Sequence, residues 1–277
     1  MALQMASLNS GSNGNCYYIG NDEDAVLVDA GIPCREIERR MEARNLNIHH
    51  VKAVFVSHEH TDHIKGLKKL ANKYALPVYI TDKTALKGPF LIKHLSKPFC
   101  ADEKIQIGSL LVTAFSKKHD ADDPHSFIIS YNGITVGVIT DIGTACPQVI
   151  RYFKQCHAVF IESNYDDDML QNSRYPYYLK RRISSDVGHM SNRQALELFL
   201  NHRPQFMSHV CLSHLSKESN TPELAAATFA AHAGNTLVTV ASRYEASEVY
   251  TITGGSTPTR RIEMPQYEQS VQLQLFD

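Results

Sequence analysis

The chain has 277 residues, 43% of them hydrophobic, enough to bury a sizeable core in one large domain. Charged residues make up 21% and the net charge is −1, which argues against a wholesale nucleic-acid binder and leaves room only for a local basic patch. The opening "MALQMASLNSGSNGNC" lacks the charged and apolar regions of a signal peptide, no apolar run nears the roughly 18 residues of a membrane span, and the six cysteines form no C-x-x-C pair, so reduced thiols, no membrane partner and a cytoplasmic location are expected.

In chain order, "CYYIG" and "AVLVDAG" (25–31) read as strands, the second carrying Asp29 at its end. "PCREIERRMEARN" (33–45) reads as a helix with proline in its first turn. "KAVFVS" (52–57) is a buried strand that delivers a histidine cluster, and "DHIKGLKKLANKY" (62–74) then turns helical with Ile64, Leu67 and Leu70 on one face. "KIQIGSLLVTAFS" (104–116) predicts two strands. "HSFIISYNGITVGVITD" (125–141) predicts two more, joined by the type I′ turn residues Asn132-Gly133. "HAVFIES" (157–163) is another strand. "SNRQALELFLN" (191–201) is a helix with a capping box of Ser191 and Gln194. "QFMSHVCLSH" (205–214) reads as a strand, "TPELAAATFAAHAG" (221–234) as a helix between Thr221 and Gly234, and "TLVTVAS" and "SEVYTI" as closing strands. The composition changes near Thr253, so residues 1–252 are expected to form the catalytic domain and 253–277 a flexible tail. Mixed sheets with outer helices place polar strand-end residues at one edge of stacked α/β layers.

The residues His58, Glu59, His60, Thr61, Asp62 and His63 spell H-x-H-x-D-H. In extended backbone, positions i and i+2 point the same way, so His58 and His60 can grip one ion, while Asp62 and His63 lie past the bend. Imidazole and carboxylate suit zinc, with manganese or iron as further choices. Cys211, three residues before His214, reads as a buried strand cysteine and not a ligand. His49, His50, His94, His157, His202 and His232 have no motif context, and His209 reads as packing or support.

The motif resembles the signature of the metallo-β-lactamase superfamily, whose fold is an α/β four-layer αββα sandwich. Asp29 in "LVDAG" resembles the aspartate that supports the site, His119 in "SKKHDADDP" the lone third histidine, Asp141 in "VITDIG" the metal-bridging aspartate and His214 in "LSHLS" the last histidine. The resemblance implies two divalent ions. His58, His60 and His119 would hold one, Asp62, His63 and His214 the other, and Asp141 would bridge them. Zinc β-lactamases have cysteine at the Asp141 step, so antibiotic cleavage is disfavoured against phosphodiesterase or thioesterase chemistry. Glu162 in "FIESNYDDD" and His189 in "GHMSN" resemble the pair with which phosphodiesterase branches such as RNase Z protonate a leaving group, so Asp62, Glu162 and His189 are the expected catalytic residues.

"SGSNGNC", "HDADDP", "YPYYLKRRISSDVGHMSN" and "LSHLSKESNTPELA" together resemble the YycJ-type (WalJ-type) branch, departing from it at His125, where a smaller residue is expected. That resemblance implies a single-domain metal-dependent nuclease with 5′-exonuclease activity on DNA. "RYPYYLKRRIS" (174–184) interleaves Arg174, Lys180, Arg181 and Arg182 with Tyr175, Tyr177 and Tyr178, so cations can follow phosphates while tyrosines stack on unpaired bases. The alternative is an amphipathic surface helix with core tyrosines. Lys117 and Lys118 can steer an anion or form a solvated face, and the loop with Ser12 and Asn15 can cradle phosphate or be an ordinary turn. The tail residues Gln272, Leu273, Gln274, Leu275 and Phe276 resemble the peptide that binds the bacterial sliding clamp. Other expectations left open are a small-molecule cyclic-phosphate phosphodiesterase, a glyoxalase II-like thioesterase and a non-enzymatic clamp-binding adaptor.

Overall fold

A computed structural model describes residues 2–87, 94–254 and 262–263. The first half of the chain contains β1 (Leu3–Asn9), β2 (Cys16–Gly20), β3 (Ala25–Val28), α1 (Cys34–Glu42), β4 (Val51–Phe55), α2 (Thr61–Ile64), α3 (Leu67–Tyr74), β5 (Val78–Tyr79), α4 (Asp82–Lys87), β6 (Ser96–Lys97), β7 (Lys104–Ile107), β8 (Leu110–Ser116), β9 (His125–Tyr131) and β10 (Ile134–Ile139). The second half contains α5 (Pro147–Phe153), β11 (Ala158–Glu162), α6 (Asp167–Asn172), α7 (Tyr177–Ile183), α8 (Asn192–His202), β12 (His209–Ser213), α9 (Pro222–Ala230), β13 (Leu237–Val240), β14 (Tyr250–Ile252) and β15 (Ile262–Glu263).

The strands form two sheets, ordered β14-β1-β2-β3-β4-β5-β6 and β15-β13-β12-β11-β10-β9-β8-β7. Side-chain alternation makes each sheet two-faced. Met5, Tyr17, Ile19, Val26 and Val28 of the first sheet meet Val112, Phe127, Ile129, Val138 and Phe160 of the second in a central core. The alternate residues Leu8, Tyr18, Leu27 and Val54 pack under α1 and α3 through Ile37, Met41, Leu67 and Leu70. Ile128, Val159, Ile161 and Leu212 do the same under α5, α8 and α9. Both faces of both sheets are covered, which explains the near-continuous apolar runs in the strands and gives the expected αββα sandwich. Strands β3 to β6 are mutually parallel, as are β10 to β13, so their carboxyl ends share one edge.

The hairpin turn at Asn132-Gly133 and the reciprocal Ser191–Gln194 cap form as expected. Elsewhere the elements differ. The helix expected over 62–74 is broken in two, because Gly66 donates to Ala30 O (2.8 Å) and its backbone lies where a Cβ would meet Ile32 O. Pro33 caps α1 from outside instead of starting it. Residues 205–208 turn before β12 begins. Strands β1, β5 and β6 and helices α4, α5 and α6 were not anticipated. "SEVYTI" closes the first sheet by pairing with β1, and Ile262–Glu263 lie beside β13. Among the described residues no helix is long and apolar enough to cross a membrane. The clamp-like stretch from Gln272 to Phe276 lies outside the described residues.

Candidate metal centre

Every candidate ligand follows the carboxyl end of a strand. Asp29 follows β3, His58 to His63 follow β4, His119 follows β8, Asp141 follows β10 and His214 follows β12, while Glu162 ends β11. Strand β8 lies two antiparallel steps from β10, so it points the same way and its end reaches the same edge. The first sheet thus supplies one half of the cluster and the second sheet the other.

Among the described residues the ligand-type atoms gather in four overlapping groups, two of which contain Asp141, one with His58 and His63 and one with Glu162, His189 and His214. Ligand-type atoms of His58, His60 and His119 lie within 4.8 Å of one another, as do those of Asp62, His63 and His214. Asp141 stands between them. Its carboxylate is 3.5 Å from His63 Nε2, 3.4 Å from His214 Nε2 and 3.9 Å from His119 Nε2. His58 Nε2 and His60 Nδ1 are 3.0 Å apart, as the i, i+2 spacing predicts.

Second partners hold these side chains. Asp29 Oδ1 accepts from Ser57 N (2.8 Å), and Oδ2 accepts from Ser57 Oγ (2.8 Å) and His63 Nδ1 (2.7 Å). That bond puts the ring proton on Nδ1 and leaves the lone pair of His63 Nε2 turned to the cluster, with Asn15 Nδ2 3.1 Å away. Glu162 is fully buried. It accepts from Ile142 N (2.7 Å), Met190 N (3.3 Å), His189 Nδ1 (2.7 Å) and His214 Nδ1 (3.0 Å). Burial pushes its carboxyl up, but His189 and His214 outweigh that and hold it at about 2. These four bonds tie Glu162 to both histidines. His189 is part-exposed, and its ring lies 5.3 Å from that of His119 and 5.1 Å from that of His214.

The residues fit a divalent cation. His119 Nε2, Asp141 Oδ2 and His214 Nε2 are buried without a hydrogen-bond partner. Such orphaned atoms are costly unless a ligand satisfies them. The charge pattern agrees. Burial pushes His63 and His214 down, yet Asp141 with its neighbouring acids pulls His63 well above the usual histidine range and His214 up to about 10. An edge that draws positive charge this strongly suits a bound divalent ion.

Two expected substrate contacts, Lys117 and Asn15, are placed differently. Lys117 is buried, not at the surface, and its Nζ donates to Thr140 O (2.7 Å). Asn15 is also buried. Its Nδ2 lies 3.1 Å from His63 Nε2 and 3.3 Å from Asp62 Oδ2, and its backbone N donates to Asp62 O (2.7 Å), so it braces a ligand pair from below. The core-tyrosine reading of 174–184 fails, because α7 buries no residue and Tyr177 and Tyr178 are each 74% exposed. Ser12, Arg174, Arg181 and Arg182 are exposed, and Tyr175 and Lys180 are half-buried. Cys211 is buried in β12, where burial pushes its thiol up to about 11, so it supplies no thiolate. His209 opens β12 at the end opposite the centre and packs against Tyr250. His125 is buried beneath Phe99 instead of lining a rim.

Sequence reasoning missed Ser57 and Asn164. Ser57 Oγ lies 2.9 Å from His58 Nδ1, and Asn164 Nδ2 donates to His214 O (2.7 Å). Their signal was weak: each is a polar residue beside a motif at a strand end.

The β-lactamase superfamily domain matches residues 24–214 of this chain. "Exodeoxyribonuclease YycJ" of Bacillus anthracis is 38% identical over 229 residues, spanning 81% of this chain and 87% of that protein. "Exodeoxyribonuclease WalJ" of Streptococcus pneumoniae is 31% identical over 234 residues, spanning 81% and 86%. The crystal structure of the metallo-β-lactamase fold protein YhfI from Bacillus subtilis superposes with a TM-score of 0.68 at 16% identity, covering 91% of this chain and 100% of that one. With its sandwich and its strand-end cluster of histidines and carboxylates, the chain belongs to the β-lactamase superfamily, in the YycJ/WalJ-like branch, and is a metal-dependent hydrolase.

Proposed function

We propose that this chain is a dinuclear metal-dependent phosphodiesterase that degrades DNA from a 5′ end. The observation that carries the reading is the Glu162–His189 pair, 2.7 Å apart, with the imidazole at the mouth of the ligand cluster. The nuclease names of the relatives at 38% and 31% identity support DNA as the substrate.

His58, His60 and His119 would hold one ion and Asp62, His63 and His214 the other, with Asp141 standing beside both groups; zinc, manganese or iron suits such a set. When bound, such a pair of ions supplies a water nucleophile of lowered pKa and polarises the phosphoryl oxygens. The protein's own groups do the rest. His189 donates its Nδ1–H to Glu162, which fixes the ring, and its Nε2–H protonates the leaving oxygen. Asp29 and Asn15 hold His63 and Asp62 in place.

His60→Ala and Asp141→Ala should each abolish metal content and hydrolysis of 5′-labelled DNA with Mn²⁺ or Zn²⁺. His189→Ala should keep its metal yet lose about 10²- to 10⁴-fold in kcat on DNA. A p-nitrophenyl phosphodiester, whose leaving group needs no proton, should be much less affected. Equal losses on both substrates remove His189 as the acid. A wild type that cleaves a cyclic nucleotide or a thioester but no DNA refutes the substrate assignment.

For the tail, the Q-L-x-L-F spacing supports a tether to the sliding clamp on DNA, with Leu275 and Phe276 as apolar anchors. Clamp pull-down should fall with Leu275→Ala/Phe276→Ala, and equal retention ends the idea.

A further inference from the structure

Helix α7 stands apart from the other helices. Its seven residues bury nothing, although a helix this short is marginal without packing. Residues 174–186, which include the helix, carry Arg174, Lys180, Arg181 and Arg182 against one acid, Asp186, in a chain whose net charge is −1. Tyr177 and Tyr178, two large aromatics, are each 74% exposed on it.

The helix is nevertheless fixed to the centre. Arg182 pairs with Asp120 (2.5 Å), the neighbour of His119. His189 N donates to Ile183 O (2.8 Å), and Gly188 O accepts from His119 Nδ1 (3.1 Å). The backbone at Gly143 and Asp186 touches so closely that a Cβ on Gly143 would lie 2.3 Å from Asp186 O. So the exposed helix is placed, not loose.

Helix periodicity then orders its side chains. Residues four apart share a face, and adjacent residues diverge. Tyr178 shares a face with Arg182, which reaches the metal-side loop at Asp120. Tyr177 shares the next face with Arg181, whose guanidinium stands 6.0 Å over its ring. Two flat rings on diverging faces, with a guanidinium beside one, present a stepped surface that begins near the centre.

Resting on the nuclease reading, we propose that α7 is a stacking platform for unpaired nucleotides, with Tyr178 taking a base near the scissile phosphate and Tyr177 the next, while Arg181 meets the phosphate between them. Stacking needs a free base face, and a base inside a duplex has none to offer. The platform therefore selects a single-stranded end, and charge alone does not: cations follow phosphates in either form.

The test compares a short oligothymidine with its abasic counterpart, binding the full chain under chelator so that no strand is cut. Wild type should prefer the base-bearing strand by about 10-fold or more, since each stacked base contributes about 5- to 150-fold. Tyr177→Ala/Tyr178→Ala should remove the preference, while Tyr177→Phe/Tyr178→Phe should keep it. Both side chains are exposed, so thermal midpoints should match wild type. A wild type that binds both strands equally, or a preference that survives the alanines, overturns the platform even if the enzyme degrades DNA. A wild type that neither binds nor cuts DNA overturns the nuclease reading and the platform together.

Discussion

Asp29, Asp141 and His214 have φ of 62°, 55° and 58°. Each follows its strand, and the left-handed turn swings its side chain back over the strand edge. For residues other than glycine that conformation is sparsely populated and costs about 1–3 kcal/mol, so the surrounding bonds must hold it. Lys117 is one such holder. Its ammonium donates to Thr140 O, the carbonyl next to Asp141, from a fully enclosed position. Lys117→Met should leave that carbonyl unpaired and lower stability by about 1–3 kcal/mol, read from urea denaturation. An unchanged midpoint means that a water replaces the ammonium. Four of the candidate ligands were legible because their spacing is chemical, since H-x-H-x-D-H says metal in any fold, whereas His119, Asp141 and His214 were legible only through the family resemblance. Lys117 and Asn15 were not, since a lysine after a strand or an asparagine in a glycine loop gives no local sign of burial. Their place depends on which strands lie above them.

Elements governed by nearest neighbours were readable, and elements governed by distant contacts were not. The Asn132-Gly133 hairpin and the Ser191–Gln194 cap close over a few residues. The break between α2 and α3 comes instead from the approach of Gly66 to the loop after β3, across 36 positions of sequence from Ala30 to Gly66. Strand β1 escaped because "LQMASLN" is buried on both faces and lacks an alternating pattern. The turn from α7 to His189 is equally tight. A Cβ on Gly188 would sit 2.1 Å from Arg182 O and 2.3 Å from Ile183 O. Gly188→Ala must therefore displace His189, and displacement of about 1 Å costs on the order of 10²-fold in rate. The expected result is an intact circular-dichroism spectrum with kcat lowered by that order. Wild-type turnover would show that this turn does not position the imidazole.

At the scale of the molecule, the candidate ligands come from both sheets, so bound ions would tie the sandwich across its seam. His58, His60, Asp62 and His63 belong to the first sheet's edge, and His119, Asp141 and His214 to the second's. Ions bound to the native state alone should stabilise it by about 4 kcal/mol each at a thousandfold excess over Kd. Unfolding followed with and without chelator should show a midpoint that climbs with ion concentration. A midpoint indifferent to metal would mean that the two sheets hold the cluster unaided. The layer order was legible through family resemblance and not through periodicity, because strands buried on both faces look alike whichever sheet they join.

The pairing of β1 with β14 has a practical outcome. Leu3 faces Ile252 at one end of that ladder, while Ser10, just past the other end, accepts from His214 N (2.7 Å). Seven extended residues put about 20 Å between the two ends of β1. The domain is therefore gripped from behind. A surface, resin or fusion partner joined ahead of Leu3 would hold the protein by its back and leave the strand-end cluster facing outward.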